Sequence, residues 1–188
     1  MNGNHRRYVV GITGASGAVL GHRLVEELLH KECKVDLIIT GAGCKVLQDE
    51  LGLSEIKKQP GLSIYDIDNI AAPIASGSVK THGMIIIPCS MGTLASIANG
   101  ISSNLLQRAA DVTIKERRKL ILVPRETPLS TIHLNNMLHV AQAGAIIIPP
   151  IPAFYTRPAT VDDIVNFIVG KVLDQLEIEH ELYVQYSG

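Results

Sequence analysis

Three glycines near the N-terminus have the spacing of a phosphate-binding loop. Gly11, Gly14 and Gly17 are arranged G-x-x-G-x-x-G where the β-branched run 8–12 ends, and the amphipathic segment 19–29 follows. This order predicts a strand, a tight turn and a helix. Glycine lets the backbone approach an anion closely, and the first free N–H groups of a helix point at such a ligand. The stretch therefore predicts a phosphate cradle.

The spacing of these glycines differs from that of NAD-binding loops. Those loops follow G-x-G-x-x-G and place an acidic residue about 20 positions on, where it holds a ribose. Here the second apolar run, 35–39, ends in Thr40, which carries no carboxylate. The loop favours a mononucleotide phosphate such as that of FMN. The alternative is that the glycines serve only a tight strand-to-helix turn.

Composition limits the classes of function. A chain of 188 residues with 46% hydrophobic residues is long enough for one well-buried domain. The net charge is -1, the pI is 6.6, and basic clusters occur only at 5–7 and 115–119, so we expect no nucleic-acid partner. The longest apolar run, 145–154, is too short and proline-rich to span a membrane. Three cysteines without C-x-x-C spacing favour reduced thiols and a cytoplasmic location.

Five short apolar runs alternate with segments of helical period. They consist mostly of Val, Ile and Leu, which indicates strands buried on both faces and hence a parallel sheet covered by helices on each side. The predicted fold class is α/β: a doubly wound parallel sheet, a Rossmann-like or flavodoxin-like three-layer sandwich, with residues 1–188 forming a single FMN-binding domain. The predicted strands are 8–12, 35–39, 84–87, 120–123 and 145–148.

Ligands of such sheets bind outside the carboxyl ends of the strands, where this chain has small and polar residues. After the third strand, Ser90 and Thr93 open a helix rich in Ala and Gly. Their hydroxyls suit either capping of that helix or contact with the polar edge of a ligand, and both interpretations stay open.

A charged pair follows the fourth strand. Thr127 and Pro128 are typical of a helix N-cap and first turn, which predicts that Arg125 and Glu126 lie just ahead of a helix start. A plain surface pair is the alternative. A charged pair between two prolines at a strand end favours a functional role.

The last helix is predicted to begin with a capping pattern, Thr160-x-x-Asp163. Asp162 and Asp163 form the one acidic pair suited to magnesium, but acids are also favoured in the first turn of a helix by its dipole. The pattern favours this second explanation. We therefore expect no metal site.

Six blocks of residues, in order along the chain, resemble those of a known family. They are Thr13-Gly14-Ala15-Ser16-Gly17, Ala75-Ser76-Gly77-Ser78, Pro88-Cys89-Ser90-Met91, Arg108-Ala109-Ala110-Asp111-Val112 with Lys115-Glu116, Pro124-Arg125-Glu126-Thr127-Pro128-Leu129, and Ala153-Phe154-Tyr155. Together they resemble the UbiX-type flavin prenyltransferases over essentially the whole chain. Within that family the chain is most similar to the members once regarded as one of the subunits of hydroxybenzoate, vanillate and phenolic acid decarboxylases.

The resemblance implies a metal-independent enzyme that joins the dimethylallyl group of dimethylallyl monophosphate to N5 and C6 of reduced FMN. It implies that the product, prenylated FMN, is the cofactor of a UbiD-type decarboxylase that acts on aromatic acids. It further implies a homo-oligomer, specifically a dodecamer.

The resemblance also implies the roles of individual residues. Ser16 and Glu50 match positions that handle the flavin and its protons, and Glu126 matches a catalytic position at the phosphate. The implied FMN contacts are Gly14, Ala15, Ser16, Thr40, Ser90, Met91, Gly92, Thr93 and Arg125. The implied contacts to the donor phosphate are Ser76, Arg108, Lys115, Arg125, Glu126, Tyr155 and Lys171.

Two of these positions also carry information of their own. Arg108 and Lys115 are one helical heptad apart, which predicts that they share a helix face. By contrast, the chain has Ile70 where relatives can carry an aromatic residue, and it contains no Trp, so its prenyl pocket is expected to differ in shape.

Two other functions compete. One is an FMN-dependent cysteine decarboxylase, a related family with a Pro-Ala-Ser-Ala-Asn-Thr block and a catalytic His, where this chain reads Pro88-Cys89-Ser90-Met91-Gly92-Thr93. The other is a flavin-carrying decarboxylase subunit without catalysis. The second set of phosphate-binding residues argues against pure carriage, because a bound flavin alone needs no second phosphate site.

Overall fold

Six parallel strands and six α-helices make up the computed structural model, which describes residues 6–184. The strands are β1 (Arg7–Ile12), β2 (Lys34–Ile39), β3 (Leu62–Tyr65), β4 (Gly83–Cys89), β5 (Lys119–Pro124) and β6 (Ile146–Ile147). The helices are α1 (Ala18–His30), α2 (Gly41–Leu51), α3 (Met91–Ala98), α4 (Leu105–Lys115), α5 (Thr131–Gln142) and α6 (Val161–Gln175), with a 3-10 turn at Pro73–Ala75.

The strand order is β3-β2-β1-β4-β5-β6, and every neighbouring pair is parallel. From β1 to β3 each strand is added on one side of the sheet, and from β4 to β6 on the other side, so the strand order reverses between β1 and β4. Crevices at such a switch point are where open α/β sheets bind ligands. The predicted doubly wound α/β sheet is confirmed.

Helices cover the sheet on both faces. One apolar cluster packs α1 and α6 on the sheet, with Leu24 and Val169 buried. The other packs α3 and α4 on the opposite face, with Leu94 and Leu106 buried. Side chains of α4 and α6 therefore belong to opposite faces of the sheet. Within residues 6–184, no helix is both long enough and apolar enough to cross a membrane.

All five predicted strands are present, and β3 was not predicted. It is a short edge strand of four residues, half-buried at its ends and exposed between them, so it lacks a continuous apolar run. The last strand is also shorter than predicted, covering only Ile146–Ile147.

The prediction that Thr127 and Pro128 begin a helix is wrong. The helix begins at Thr131, and Ser130 caps it: its hydroxyl accepts the His133 backbone N–H, and the His133 ring accepts the Ser130 N–H. This reciprocal pair satisfies two donors at once, whereas the Thr127 hydroxyl bonds locally and donates to the Glu126 carbonyl at 2.8 Å. Glu126 therefore lies in a loop rather than beside a helix N-terminus.

The capping pattern of the last helix is confirmed. Thr160 accepts the Asp163 N–H, and the Asp163 carboxylate accepts the Thr160 N–H at 2.9 Å. Among residues 6–184, no three His, Cys, Asp or Glu side chains are grouped so as to hold a metal ion.

Candidate active site

Hydrogen bonds join the loops that follow four neighbouring strands. They run between backbone groups at the carboxyl edge of the sheet and place the predicted FMN contacts Thr40, Ser90 and Arg125 side by side. The pairs are Thr40 N–H to the Ile12 carbonyl at 3.0 Å, Thr13 N–H to Pro88 at 3.2 Å, and Arg125 N–H to Cys89 at 3.2 Å.

Thr13 connects the two strands that flank the switch point. Its side chain is buried; the hydroxyl donates to the Pro88 carbonyl and accepts the Ser90 N–H, both at 2.8 Å. The sequence analysis did not identify it as a site residue. Two signals pointed to it: its place in the first of the six blocks, and a hydroxyl directly after an apolar strand, which many exposed strand ends share.

The glycine loop packs tightly against the start of α2. A Cβ on Gly14 would lie 2.4 Å from the Ala42 Cβ, and Gly17 has a φ of 104°. Both positions therefore require glycine for steric reasons. In contrast, a Cβ on Gly41 or Gly92, at the starts of α2 and α3, would meet nothing within 4 Å. The backbone N–H groups at these two helix starts, beside the switch point, are therefore unobstructed, which suits the close approach of a bound FMN.

Glu50 belongs to the last turn of α2, and its carboxylate lies at the N-terminus of α1. Its carboxylate accepts the Gly17 N–H at 2.9 and 3.1 Å and the Ala18 N–H at 2.8 Å. The sequence predicted that a ligand phosphate would receive the first N–H groups of this helix, and in the structure these two are taken by Glu50. The contact also brings Glu50 to the loop that carries the exposed Ser16.

Thr40 and Ser90 cap the helices that follow them. Thr40 accepts the Gly43 N–H at 3.0 Å, and Ser90 accepts the Thr93 N–H at 3.4 Å while donating to the Thr93 hydroxyl at 3.0 Å. The capping interpretation is thus realised, and contact of these hydroxyls with a ligand stays a prediction. Beside them, burial raises the pKa of Cys89 to about 12, so this thiol stays protonated at neutral pH.

Ser76, Arg108 and Lys115 form what we call the α4 cluster. Arg108 donates to the Ala75 carbonyl at 3.2 Å, and a Cβ on Gly77 would lie 2.9 Å from the Lys115 ammonium. Both cations thus contact the loop that contains Ser76, which confirms that they share a helix face. Acidic partners hold them in turn: Asp111 for Arg108, at 2.6 Å, and Glu116 for Lys115.

Tyr155 and Lys171 form the α6 cluster. Lys171 donates to Asp174 at 2.9 Å and to the Tyr183 hydroxyl at 3.3 Å. The bond to Asp174 raises the pKa of Lys171, which keeps it protonated. Tyr155 packs edge-on against Phe167, with ring centroids 6.2 Å apart. An aromatic side chain thus separates Tyr155 from the Tyr183 end of the cluster.

Arg125 and Glu126 lie in an exposed loop at the end of β5. All residues of 125–130 are exposed, and the Glu126 carboxylate accepts the neighbouring Thr127 N–H at 3.1 Å. These side chains are open to a substrate. The structure does not unite the predicted phosphate contacts within one chain, because the α4 and α6 clusters belong to opposite faces of the sheet.

Proteins of similar sequence and fold are known. The chain is 52% identical over 191 residues to the flavin prenyltransferase UbiX of Halalkalibacterium halodurans, and this match covers 96% of the chain and 93% of the relative. Its structure is similar to AnUbiX (PadA1) in complex with FMN and dimethylallyl pyrophosphate, with a TM-score of 0.91, 39% identity and coverage of 98% and 99%. It is also similar to the dodecameric FMN-dependent UbiX-like decarboxylase of Escherichia coli O157:H7, with a TM-score of 0.93, 44% identity and coverage of 97% and 100%. The Flavoprotein family model matches residues 1–173, and the chain belongs to that family and, within it, to the UbiX-type flavin prenyltransferases.

Proposed function

We propose that this protein is a flavin prenyltransferase that transfers a dimethylallyl group from dimethylallyl monophosphate to N5 and C6 of reduced FMN. The carboxyl edge of the sheet, with Thr40, Ser90 and Arg125, is here called the flavin edge. The observation that carries the proposal is the presence of two further cationic groups, the α4 cluster and the α6 cluster, in addition to Arg125. FMN has one phosphate, and so many cations suit a second phosphorylated ligand. We include the whole chain, 1–188, in one FMN-binding domain.

Residues at the switch point would hold the flavin. Thr40, Ser90 and Arg125 lie side by side there, and Gly41 and Gly92 leave the backbone of two helix starts open. When bound, reduced FMN supplies the nucleophilic N5 and C6 atoms. We assign Glu50, whose carboxylate lies at the start of α1, to take up the protons that these positions lose, with the hydroxyl of Ser16 on the adjoining loop as a relay.

The donor phosphate would bind to Arg125, Glu126 and Lys171. Transfer breaks the C–O bond of the donor, and the phosphate leaves with the electron pair, so positive charge at its oxygens lowers the barrier. An acid beside that phosphate must hold or share a proton, since two anions would repel. Glu126 therefore gives its proton to the leaving oxygen.

A neighbouring subunit would supply the α4 cluster. Lys115 and Lys171 lie on opposite faces of one chain's sheet, yet both are proposed phosphate contacts. A homo-oligomer in which the α4 cluster of one subunit faces the α6 cluster of the next resolves this separation. A relative 44% identical to the chain is described as dodecameric, which supports the same assembly here.

Subunit complementation tests this arrangement. Lys115→Met and Lys171→Met should each inactivate the assembly, whereas refolding the two variants together should restore part of the activity, because some shared sites then contain both lysines. Mixing each variant with itself is the control. If the mixture is no more active than either variant, each site uses the lysines of one chain only.

The transfer itself is tested by anaerobic mixing of reduced FMN with dimethylallyl monophosphate, following the flavin spectrum and the mass of the extracted flavin. Dimethylallyl pyrophosphate is run in parallel, because the similar AnUbiX structure contains that donor. We expect faster transfer from the monophosphate and no loss of turnover in excess chelator. Failure with both donors would refute the proposal.

Two alternatives are decided in the same experiments. A cysteine decarboxylase would oxidise a peptide with a C-terminal cysteine, and a flavin carrier would bind FMN and alter neither substrate. The 52% identity to a relative named a flavin prenyltransferase favours transfer over both.

We also propose that the enzyme works in the cytoplasm and passes its product to a UbiD-type decarboxylase. Product added to such an apo-decarboxylase should start CO2 release from an aromatic acid.

A further inference from the structure

The segment that follows α6, residues 176–184, returns to contact the helix at Asp174. The Asp174 carboxylate interacts with three side chains: the Lys171 ammonium at 2.9 Å, the Tyr183 hydroxyl at 2.5 Å and the His180 Nε2 at 3.1 Å. Two of these partners belong to the returning segment. Tyr183 and Lys171 share the Oδ2 atom of Asp174, and His180 holds the Oδ1 atom.

Gly170 shows that the chain is fitted to this arrangement. A Cβ at this position, in the interior of α6, would lie 2.6 and 2.7 Å from ring carbons of Tyr183 and 2.8 Å from the His180 ring. Glycine weakens a helix interior, and here it gives the room that both rings occupy. The Tyr183 ring also packs edge-on against Phe167, with centroids 5.0 Å apart.

The ammonium of Lys171 has three protons. Asp174 and the Tyr183 hydroxyl accept two of them, at 2.9 and 3.3 Å, which leaves one for a further acceptor. A lysine side chain is flexible, and fixing it before the ligand arrives removes that ordering cost from binding. The bond to Asp174 also raises the pKa of Lys171, so its charge is maintained.

We propose that Asp174, held by Tyr183 and His180, is a positioning residue that fixes the Lys171 ammonium for the phosphate of the prenyl donor. The inference rests on the proposed function, because that function makes Lys171 a phosphate contact. It assigns a role to the returning segment: His180 acts through Asp174, Tyr183 acts through Asp174 and through its own bond to Lys171, and neither acts on the substrate directly.

The test is binding of dimethylallyl monophosphate to the FMN-loaded protein, measured by calorimetry with oxidised flavin so that no transfer occurs. Asp174→Asn keeps the shape and removes the charge, and we expect the Kd for the donor to rise about tenfold, the scale for one hydrogen bond to a charged group. Tyr183→Phe keeps the ring and should raise it roughly threefold. Asp162→Asn, an exposed acid of the same helix, is the matched control and should match the wild type.

Two measurements separate a positioning role from a role in folding alone. If Asp174 positions Lys171, the Kd for FMN should stay within about twofold of the wild type in both variants. In a Lys171→Met background, Asp174→Asn should then have almost no further effect on donor binding. Asp174→Glu should recover part of the affinity. If the Asp174 variants do not fold, His180→Phe takes their place, because it removes a bond to Asp174 and leaves both bonds of Lys171; it should also raise the Kd for the donor.

Other outcomes would overturn the positioning role. Unchanged or tighter donor binding by Asp174→Asn would show that Asp174 is irrelevant to the phosphate or competes with it. An undiminished effect in the Lys171→Met background would show that Asp174 acts through another group. If the wild-type protein binds the donor and transfers nothing, the proposed function is refuted, and the binding data still test the positioning role. If the wild-type protein does not bind the donor, both proposals are overturned.

Discussion

The flavin edge and the β5–α5 loop are built in opposite ways. At the flavin edge, the Thr13 hydroxyl bonds to the Pro88 carbonyl and the Ser90 N–H, and the Glu50 carboxylate accepts the Gly17 N–H. In the β5–α5 loop every residue of 125–130 is exposed. Within the described residues, the hydrogen bond of the Glu126 carboxylate is to the N–H of its neighbour Thr127. The first region is organised before any ligand binds, and the second leaves its charged groups open to one.

This difference separates stability from catalysis. Hydrogen bonds that join strand ends stabilise the fold as well as the cofactor site, so changes there should lower both the free energy of unfolding and FMN binding. Exposed loop residues contribute little to stability, so a change at Glu126 should alter the reaction alone. The predictions below test this contrast, from the largest expected effect to the smallest.

Glu126→Gln should reduce prenyl transfer by roughly 10² or more, because glutamine keeps the volume and cannot give a proton. FMN binding and the melting temperature should stay near wild type, since the side chain is exposed. Single-turnover mixing of reduced FMN and donor measures the rate, with Glu179→Gln, another exposed acid, as control. Transfer at the wild-type rate would remove Glu126 from the mechanism.

Thr13→Val should lower the free energy of unfolding by about 2 kcal/mol, because it leaves the Ser90 N–H without its acceptor. For a chain of 188 residues this corresponds to a fall in melting temperature of roughly 4–8 °C. FMN binding should weaken as well, since the loops of β1 and β4 lose their link. Thr13→Ser keeps the hydroxyl and should lose much less. Wild-type stability of Thr13→Val would show that the hydroxyl does not link the two loops.

Most of the fold could be predicted from the sequence, because each central strand is a run of Val, Ile and Leu. The exceptions have physical reasons. An edge strand such as β3 is partly exposed and shows no such run. The start of α5 depends on whether Thr127 or Ser130 finds a reciprocal partner, and the ring of His133 decides it. That choice depends on side-chain geometry that residue type does not specify.

The site was predictable where topology alone determines it. Parallel strands bring their carboxyl ends together, so Thr40, Ser90 and Arg125 could be placed at one edge. The separation of Lys115 from Lys171 could not be foreseen. The face that each helix covers follows from the strand order, which local patterns do not reveal. The contact of Glu50 with α1 likewise joins residues more than 30 positions apart.

Glu50→Gln should lower the free energy of unfolding by about 1 kcal/mol, because a charged acceptor at the N-terminus of α1 becomes a neutral one. The melting temperature should fall by roughly 2–4 °C. Asp49→Asn, an exposed acid on the same helix, is the control and should show no change. Equal melting of Glu50→Gln and wild type would mean that the flavin edge is less tightly organised than its hydrogen bonds indicate.

The smallest effect should come from Asp163, which caps the helix that carries Lys171. Hydrogen bonds from the Thr160 and Ala159 N–H groups lower the pKa of its carboxyl. A group whose pKa is lowered by folding stabilises the protein above its pKa in the unfolded chain, about 3.9, and this contribution is lost as the pH falls through the lower folded value. Asp163→Asn should therefore unfold at slightly lower urea than wild type at pH 7.

The two urea midpoints should converge as the pH falls to about 3, where part of the wild-type carboxyl is protonated. Asp162→Asn, the neighbouring acid, should follow the wild type at both pH values apart from a small effect of the helix dipole. Prenyl transfer at pH 7 should be unchanged in Asp163→Asn, because the cap supports α6 from its far end, two turns before Lys171. A difference that is as large at pH 3 as at pH 7 would show that Asp163 stabilises the helix by its shape and not by its charge.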